Sequence, residues 1–183
     1  MAIRYWLVVQ PLDRAQLMMA HGFVQVPWGP REPLEQLNES DGVVLYSPRE
    51  TNPDGETLRA VVGAGRVLPG EPYQAGGRGV SPWRREVEWI PEPRIAPIRP
   101  LKDMLDLTRD NRYWGEQLRD GILEITPRDF TVFEDSVRRR APEPGTLGAV
   151  LRGRHTATEP GGLLRETGWP LGTSSDAKLL DEF

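Results

Sequence analysis

Asp41-Gly42-Val43-Val44-Leu45-Tyr46-Ser47-Pro48 is the stretch whose reading decides the fold. A polar turn, Asn38 to Gly42, passes into three aliphatic residues in a row, two of them β-branched. A short apolar run with glycine before it and proline after it predicts a strand buried on both faces, in the middle of a sheet. Its exit changes chemistry to a ring, a hydroxyl and a proline. Binding groups gather where a rigid strand gives way to a loop, so Tyr46 and Ser47 are the first candidates for the floor or rim of a pocket.

Upstream, Ile3–Val9 reads as a second interior strand. Leu12–Ala20 follows Pro11 with Leu12, Ala15 and Met19 at helical spacing, and Gly22 is placed to stop the helix in the left-handed conformation. Phe23–Val26 is a short strand cut off by Pro27-Trp28-Gly29-Pro30, and Pro33–Leu37 is one helical turn. Downstream, Thr51–Glu56 is a polar hairpin loop. Leu58–Leu68 is a long strand whose Gly63 and Gly65 mark a bulge or bend, as where a sheet curls towards a barrel.

Pro69–Pro82 is a Gly-rich loop, and Trp83–Ile90 a strand with Trp83, Arg85, Val87 and Trp89 on one face. After a proline-studded connector come short helices at Leu101–Leu105 and Trp114–Leu118 and a last strand, Ile122–Ile125. Thr126-Pro127-Arg128-Asp129 is a strong helix start: a capping threonine, proline at the first position and an acid at the third. Phe130, Phe133 and Val137 line the helix that runs to Arg140. This order predicts an α+β fold over residues 1–140, a curled mixed sheet or pseudo-barrel flanked by short helices. Residues 141–183 have no sustained periodicity and read as a flexible Pro/Gly-rich tail.

The chain of 183 residues carries no cysteine, which excludes disulfides and thiolate metal sites and fits a reducing compartment. There is no apolar run of ~18 residues and no signal-peptide pattern at the N-terminus, so a cytoplasmic protein without membrane contact is expected. Net charge is −4, and residues 1–140 hold 19 basic and 21 acidic side chains. That balance argues against binding nucleic acid by bulk electrostatics. Of the 23 basic residues all but Lys102 and Lys178 are arginine, the residue suited to bidentate and stacking contacts, although a GC-rich genome gives the same bias.

Enzyme signatures are weak. Gly63-Ala64-Gly65 lacks the third glycine and following helix of a dinucleotide loop. His21 and His155 are the only histidines, which supports neither a metal site nor a Ser-His-Asp arrangement. No catalytic constellation and no cofactor is expected, and a binding module is favoured over an enzyme.

Several motifs in order resemble an EVE domain. They are Tyr5-Trp6-Leu7, Gly22-Phe23 leading to Trp28-Gly29, the Asp41-Gly42 turn feeding Tyr46-Ser47-Pro48, and Gly63–Arg66 followed by Glu71-Pro72-Tyr73. Pro82-Trp83-Arg84-Arg85, Pro97-Ile98-Arg99-Pro100-Leu101, Trp114-Gly115 through Gly121 and the Asp129-Phe130 helix continue the likeness. It covers about residues 3–137. The resemblance implies a PUA-like fold related to YTH domains and a bacterial protein that reads a modified cytosine or adenine in DNA or RNA. A protein partner in a restriction or RNA-modification setting would be in keeping with it. The alternatives are a small-molecule or nucleotide-processing protein using the same pocket, and a protein-interaction module.

An unpaired base needs a flat slot between aromatic walls and a few polar groups at its edge. Trp83 stands at the loop-to-strand junction where YTH-like proteins carry a cage tryptophan; the alternative is a packing role. Phe23 and Gln25 would add a second wall and an edge reader, and Tyr46, Ser47 and Trp28 complete the candidate base site. Arg31, Arg84, Arg85 and Arg119 are the candidates for backbone contact. Trp6 and Trp89 are expected in the core.

Overall fold

In the computed structural model, which describes residues 2–76, 81–109, 111 and 113–138, Gly42–Arg49 is a strand, β3, with its first six residues buried. β1 (Tyr5–Val9) lies parallel to it on one side, Tyr5 opposite Gly42 and Val9 opposite Tyr46. β4 (Thr57–Val67) lies antiparallel on the other. Parallel neighbours need a crossover. Here it consists of α1 (Leu12–His21), β2 (Phe23–Val24) and α2 (Glu32–Glu35). With β6 (Trp83–Trp89) and β8 (Ile122–Ile125) the sheet runs β2-β6-β4-β3-β1-β8. Two short strands hang off this path, β5 (Tyr73–Gln74) on β6 and β7 (Ala96–Pro97) on β4. The expected α+β architecture, a curled mixed sheet flanked by short helices, is the one observed. The tail expected over 141–183 lies outside the described residues.

The turn into β3 is held from inside. Asp41 is 1% exposed. Its Oδ1 accepts from the Arg4 backbone N–H at 2.9 Å, and its Oδ2 from the Trp6 indole at 3.0 Å and the Asn38 backbone at 2.9 Å. A buried carboxylate is tolerated when donors replace its water. Three do so here, and they lock β1, the turn and β3 together.

The bend predicted at Gly63 and Gly65 is a bulge. Leu45 pairs with Gly63 but Tyr46 with Val61, which leaves Val62 as the extra residue of β4. A Cβ on Gly63 would stand 2.4 Å from Met19 Sδ, so the missing side chain lets α1 settle on the curled sheet.

Alternation along β3 then makes two cores. Val43 and Leu45 join Trp6, Val8, Met18 and Val24 beneath α1. Val44 and Tyr46 join Leu7, Phe130 and Phe133 beneath α4 (Pro127–Val137). Trp6 is in the first core as expected, and Trp89 packs against it half-buried. The predicted caps hold: Gly22 has φ 71°, and the Thr126 side chain accepts from the Asp129 N–H at 3.1 Å.

The region around Leu101 departs from expectation. It is a 3₁₀ helix over Arg99–Met104 followed by α3 (Asp106–Arg109). α3 is capped from a distance: the Asp129 carboxylate accepts from the backbone N–H groups of Asp106 and Leu107 at 2.7 and 3.0 Å. A helix start supplied from 22 or 23 positions away leaves no local signal.

Candidate nucleic-acid interface

β1 and β3 end side by side, and Gln10 N–H donates to the Tyr46 carbonyl at 3.0 Å just beyond the ladder. Val9 and Pro48 form the ridge at this end, and each lines two clefts. The cleft on the side of the first core, about 550 Å³, includes Gln10, Gln25, Trp28, Asn52 and Pro82. The cleft on the side of the second core, about 940 Å³, includes Tyr46, Arg59, Arg99, Lys102, Trp114 and Arg119. The first is the Gln25 cleft and the second the Tyr46 cleft.

In the Gln25 cleft the carboxamides are oriented. Gln10 Nε2 donates to the Gln25 carbonyl at 2.8 Å, and Arg84 Nε donates to Gln25 Oε1 at 3.2 Å. The Gln25 amide nitrogen is thereby left to donate and the Gln10 amide oxygen to accept.

Trp28 stands beside them, 90% exposed, at φ 59°. Val26 to Gly29 closes with a Gly29 N–H to Val26 carbonyl bond of 3.0 Å. Proline in the second place and positive φ in the third is the pattern of a type II turn, whose third place suits glycine. Tryptophan occupies it at a strain of about 1–2 kcal/mol. Gly29 also has positive φ, 66°, and a Cβ there would come within 2.4 Å of Pro82. The turn is thus pressed on to the Pro82–Trp83 junction, where Trp83 N–H donates to the Gly29 carbonyl at 3.0 Å.

The Tyr46 cleft is cationic and aromatic. Trp114 meets the Tyr46 ring edge-on, centroids 6.0 Å apart, and Lys102 Nζ lies 5.5 Å from the Trp114 centroid. Burial pushes the Tyr46 phenol above its ordinary pKa, with Arg59 opposing, so it stays a neutral hydroxyl near pH 7.

The ten sequence candidates do not form one slot. Gln25 and Trp28 line one cleft, and Tyr46 and Arg119 the other. Trp83 is in neither; it is half-buried, packs on the first core and carries the Arg31 guanidinium 4.7 Å from its ring centroid. Arg31 is also paired with Glu35 at 2.7 Å. Phe23 is a core residue at 3% exposure with the Arg84 guanidinium 4.0 Å from its ring centroid, not an open wall.

Ser47 is fully buried, and its Oγ has no hydrogen-bond partner among the described residues. Arg85 corrects its assignment to the backbone contacts. It is 3% exposed, with Nε and Nη1 unpartnered among the described residues, because strand alternation puts it inward with Val87. Sequence reasoning singled out none of Arg59, Arg99, Lys102, Tyr113 and Trp114 as site residues. The motifs Pro97–Leu101 and Trp114–Gly121 carried the signal, since both fall on the Tyr46 cleft.

Fold and clefts define a small α+β domain with two recesses at the ends of paired central strands. Proteins of the UPF0310 family share its sequence. One from Renibacterium salmoninarum is 32% identical over 133 residues, 73% of this chain and 94% of the relative. One from Mesorhizobium japonicum is 38% identical over 136 residues, 73% of this chain and 91% of the relative. YdcG of Bacillus subtilis is 31% identical over 132 residues. The chain belongs to the UPF0310 family.

No protein-family model matches it. Solved structures of similar shape include the Mmi1 YTH domain, with TM-score 0.45 and 10% identity over 82% of this chain and 99% of that one. Another is human THYN1 in complex with DNA containing 5-methylcytosine, with TM-score 0.46 and 11% identity over 75% of this chain and 99% of that one. At these values each likeness is partial.

Proposed function

We propose that the protein is an EVE-type domain that binds nucleic acid carrying a modified base, and that the base enters the Gln25 cleft. The observation that carries this reading is Trp28. An indole held 90% in solvent on a left-handed backbone contributes nothing to the core and strains its turn. Strain of this kind persists where a surface is used. Here the surface is a stacking face, which every base can use. The oriented amides supply a donor from Gln25 and an acceptor from Gln10, a pair suited to the edge of an unpaired base. A volume near 550 Å³ is in the range of ligand pockets. The resemblance to EVE domains, whose characterised relatives bind modified bases, supports the same reading.

The test is a binding screen of short single- and double-stranded DNA and RNA oligonucleotides with methylated and unmodified cytosine and adenine. One modified oligonucleotide should bind at least tenfold tighter than its unmodified twin, and Gln25→Ala should erase the difference. Equal binding of all pairs would sink the reading.

A further inference from the structure

We infer that the Tyr46 cleft is a second nucleotide site, taking phosphate on its cations and a base on its rings. It lies across the Val9–Pro48 ridge from the Gln25 cleft and does not depend on the reading given to that cleft.

Arg59, Arg99, Lys102 and Arg119 line it against a single acid, Glu116. Among the described residues none of these four has an ion-pair partner. Arg4, Arg31, Arg109, Arg128 and Arg138 each sit on a carboxylate. On a chain of net charge −4, four cations against one acid around one recess run against the average and focus an anion there.

The rings decide what kind of anion. Trp114 is half-buried against the buried Tyr46 ring, Lys102 already shares a place with the Trp114 ring, and Tyr113 at the mouth is 66% exposed. Inorganic phosphate would leave the Trp114 and Tyr113 rings unused. A neutral aromatic compound would leave four cations unmatched. A nucleotide satisfies both, since planar fork donors suit phosphate and rings suit bases. The 940 Å³ recess is at the upper end of the ligand-pocket range and admits a base with its sugar and phosphate. A free nucleotide and a nucleotide within a single strand present the same chemistry.

The experiment uses the full chain, its Arg99→Ala/Lys102→Ala double variant and Trp28→Ala. Each is titrated with 5′-AMP, 5′-CMP, pyrophosphate and a single-stranded tetranucleotide while the Trp114 indole resonance is followed by NMR. Either mononucleotide should shift that resonance to saturation, and the double variant, checked for native spectra, should bind about tenfold more weakly. Trp28→Ala should leave the Trp114 shifts with 5′-AMP and 5′-CMP unchanged, since Trp28 lines the other cleft. If the natural occupant is free, the tetranucleotide gains nothing over the mononucleotide; if it is a strand, the tetranucleotide binds more tightly and the double variant weakens it as well. The inference is overturned if nucleotides leave Trp114 unshifted, if the double variant binds them as wild type does, or if pyrophosphate matches them. Loss of modified-base discrimination in Gln25→Ala with an unchanged Trp114 titration would assign the two clefts separate ligands.

Discussion

On one face of the sheet, the ends of β1 and β3 open into a recess of carboxamides beside one exposed indole. On the other face the same two ends open into a recess of cations and three rings. Neighbouring residues of a strand point to opposite faces, so Tyr46 serves one face only, and other elements supply the rest: Gln25, Trp28 and Asn52 on one side, Arg59, Arg99, Lys102 and Trp114 on the other. The Gln25 cleft can read an edge but carries little charge, with Asp13 against Arg14 and Arg49. The Tyr46 cleft attracts an anion but lacks the oriented amides.

The sharpest way to break this comparison is to remove one tryptophan at a time. Trp83→Ala should cost about 3 kcal/mol of stability in denaturant unfolding, because its ring packs on the first core. Trp28→Ala should leave stability within about 0.5 kcal/mol yet weaken the preferred oligonucleotide ~5- to 150-fold. Equal stability losses, or tight binding by Trp28→Ala, would move the base slot elsewhere.

Salt sharpens the other half. If the Tyr46 cleft holds part of a single strand on four cations, log K against log salt should fall with a slope near −3, at ~0.7 per phosphate. Lys102→Ala should flatten it by about 0.7. A slope unaltered by that change would leave the cleft without phosphate.

Trp28→Gly gives a smaller effect of unusual sign. Glycine is unstrained in the third place of the turn, so the variant should be more stable than wild type by up to about 1 kcal/mol while binding as poorly as Trp28→Ala. Destabilisation would show that the indole supports the fold.

The smallest effect is in acid. Burial, opposed by the α3 amides, raises the Asp129 pKa. Its charge therefore opposes folding at neutral pH, and that penalty is relieved as pH falls through its folded pKa. Glu124 is lowered by its hydrogen bond to Arg4; its contribution is present above the unfolded value, ~4.3, and lost as pH falls through the folded one. Asp129→Asn should steepen the acid loss of stability, and Glu124→Gln should make it shallower. Unfolding midpoints at several pH values below neutrality would show either slope.

What could be read from the sequence was local. Val43–Leu45, the Gly22 stop and the Thr126 cap are decided within a few residues, and so was the inward direction of Arg85, had its alternation with Val87 been weighed against its charge. The same period-2 rule separates Tyr46 from Ser47, which cannot serve one pocket. The Tyr46 cleft is a different matter. Arg59 comes from β4, Arg99 and Lys102 from the 3₁₀ helix, and Trp114 from the segment before β8. Topology alone brings them together. Asp41 could be seen as a turn residue, but its burial depends on Trp6, 35 positions away.

The way the sheet stops has its own consequence. Among the described residues its outer strands are β2, two residues long, and β8, four residues long with Glu124 bound to Arg4 just ahead of β1. Templated strand addition between copies needs a long, flat row of unpaired backbone groups, and short borders with charge beside them deny it. The wide, aliphatic middle of the sheet, which alone would be the most aggregation-prone part of this chain, is kept out of reach by two of its shortest strands.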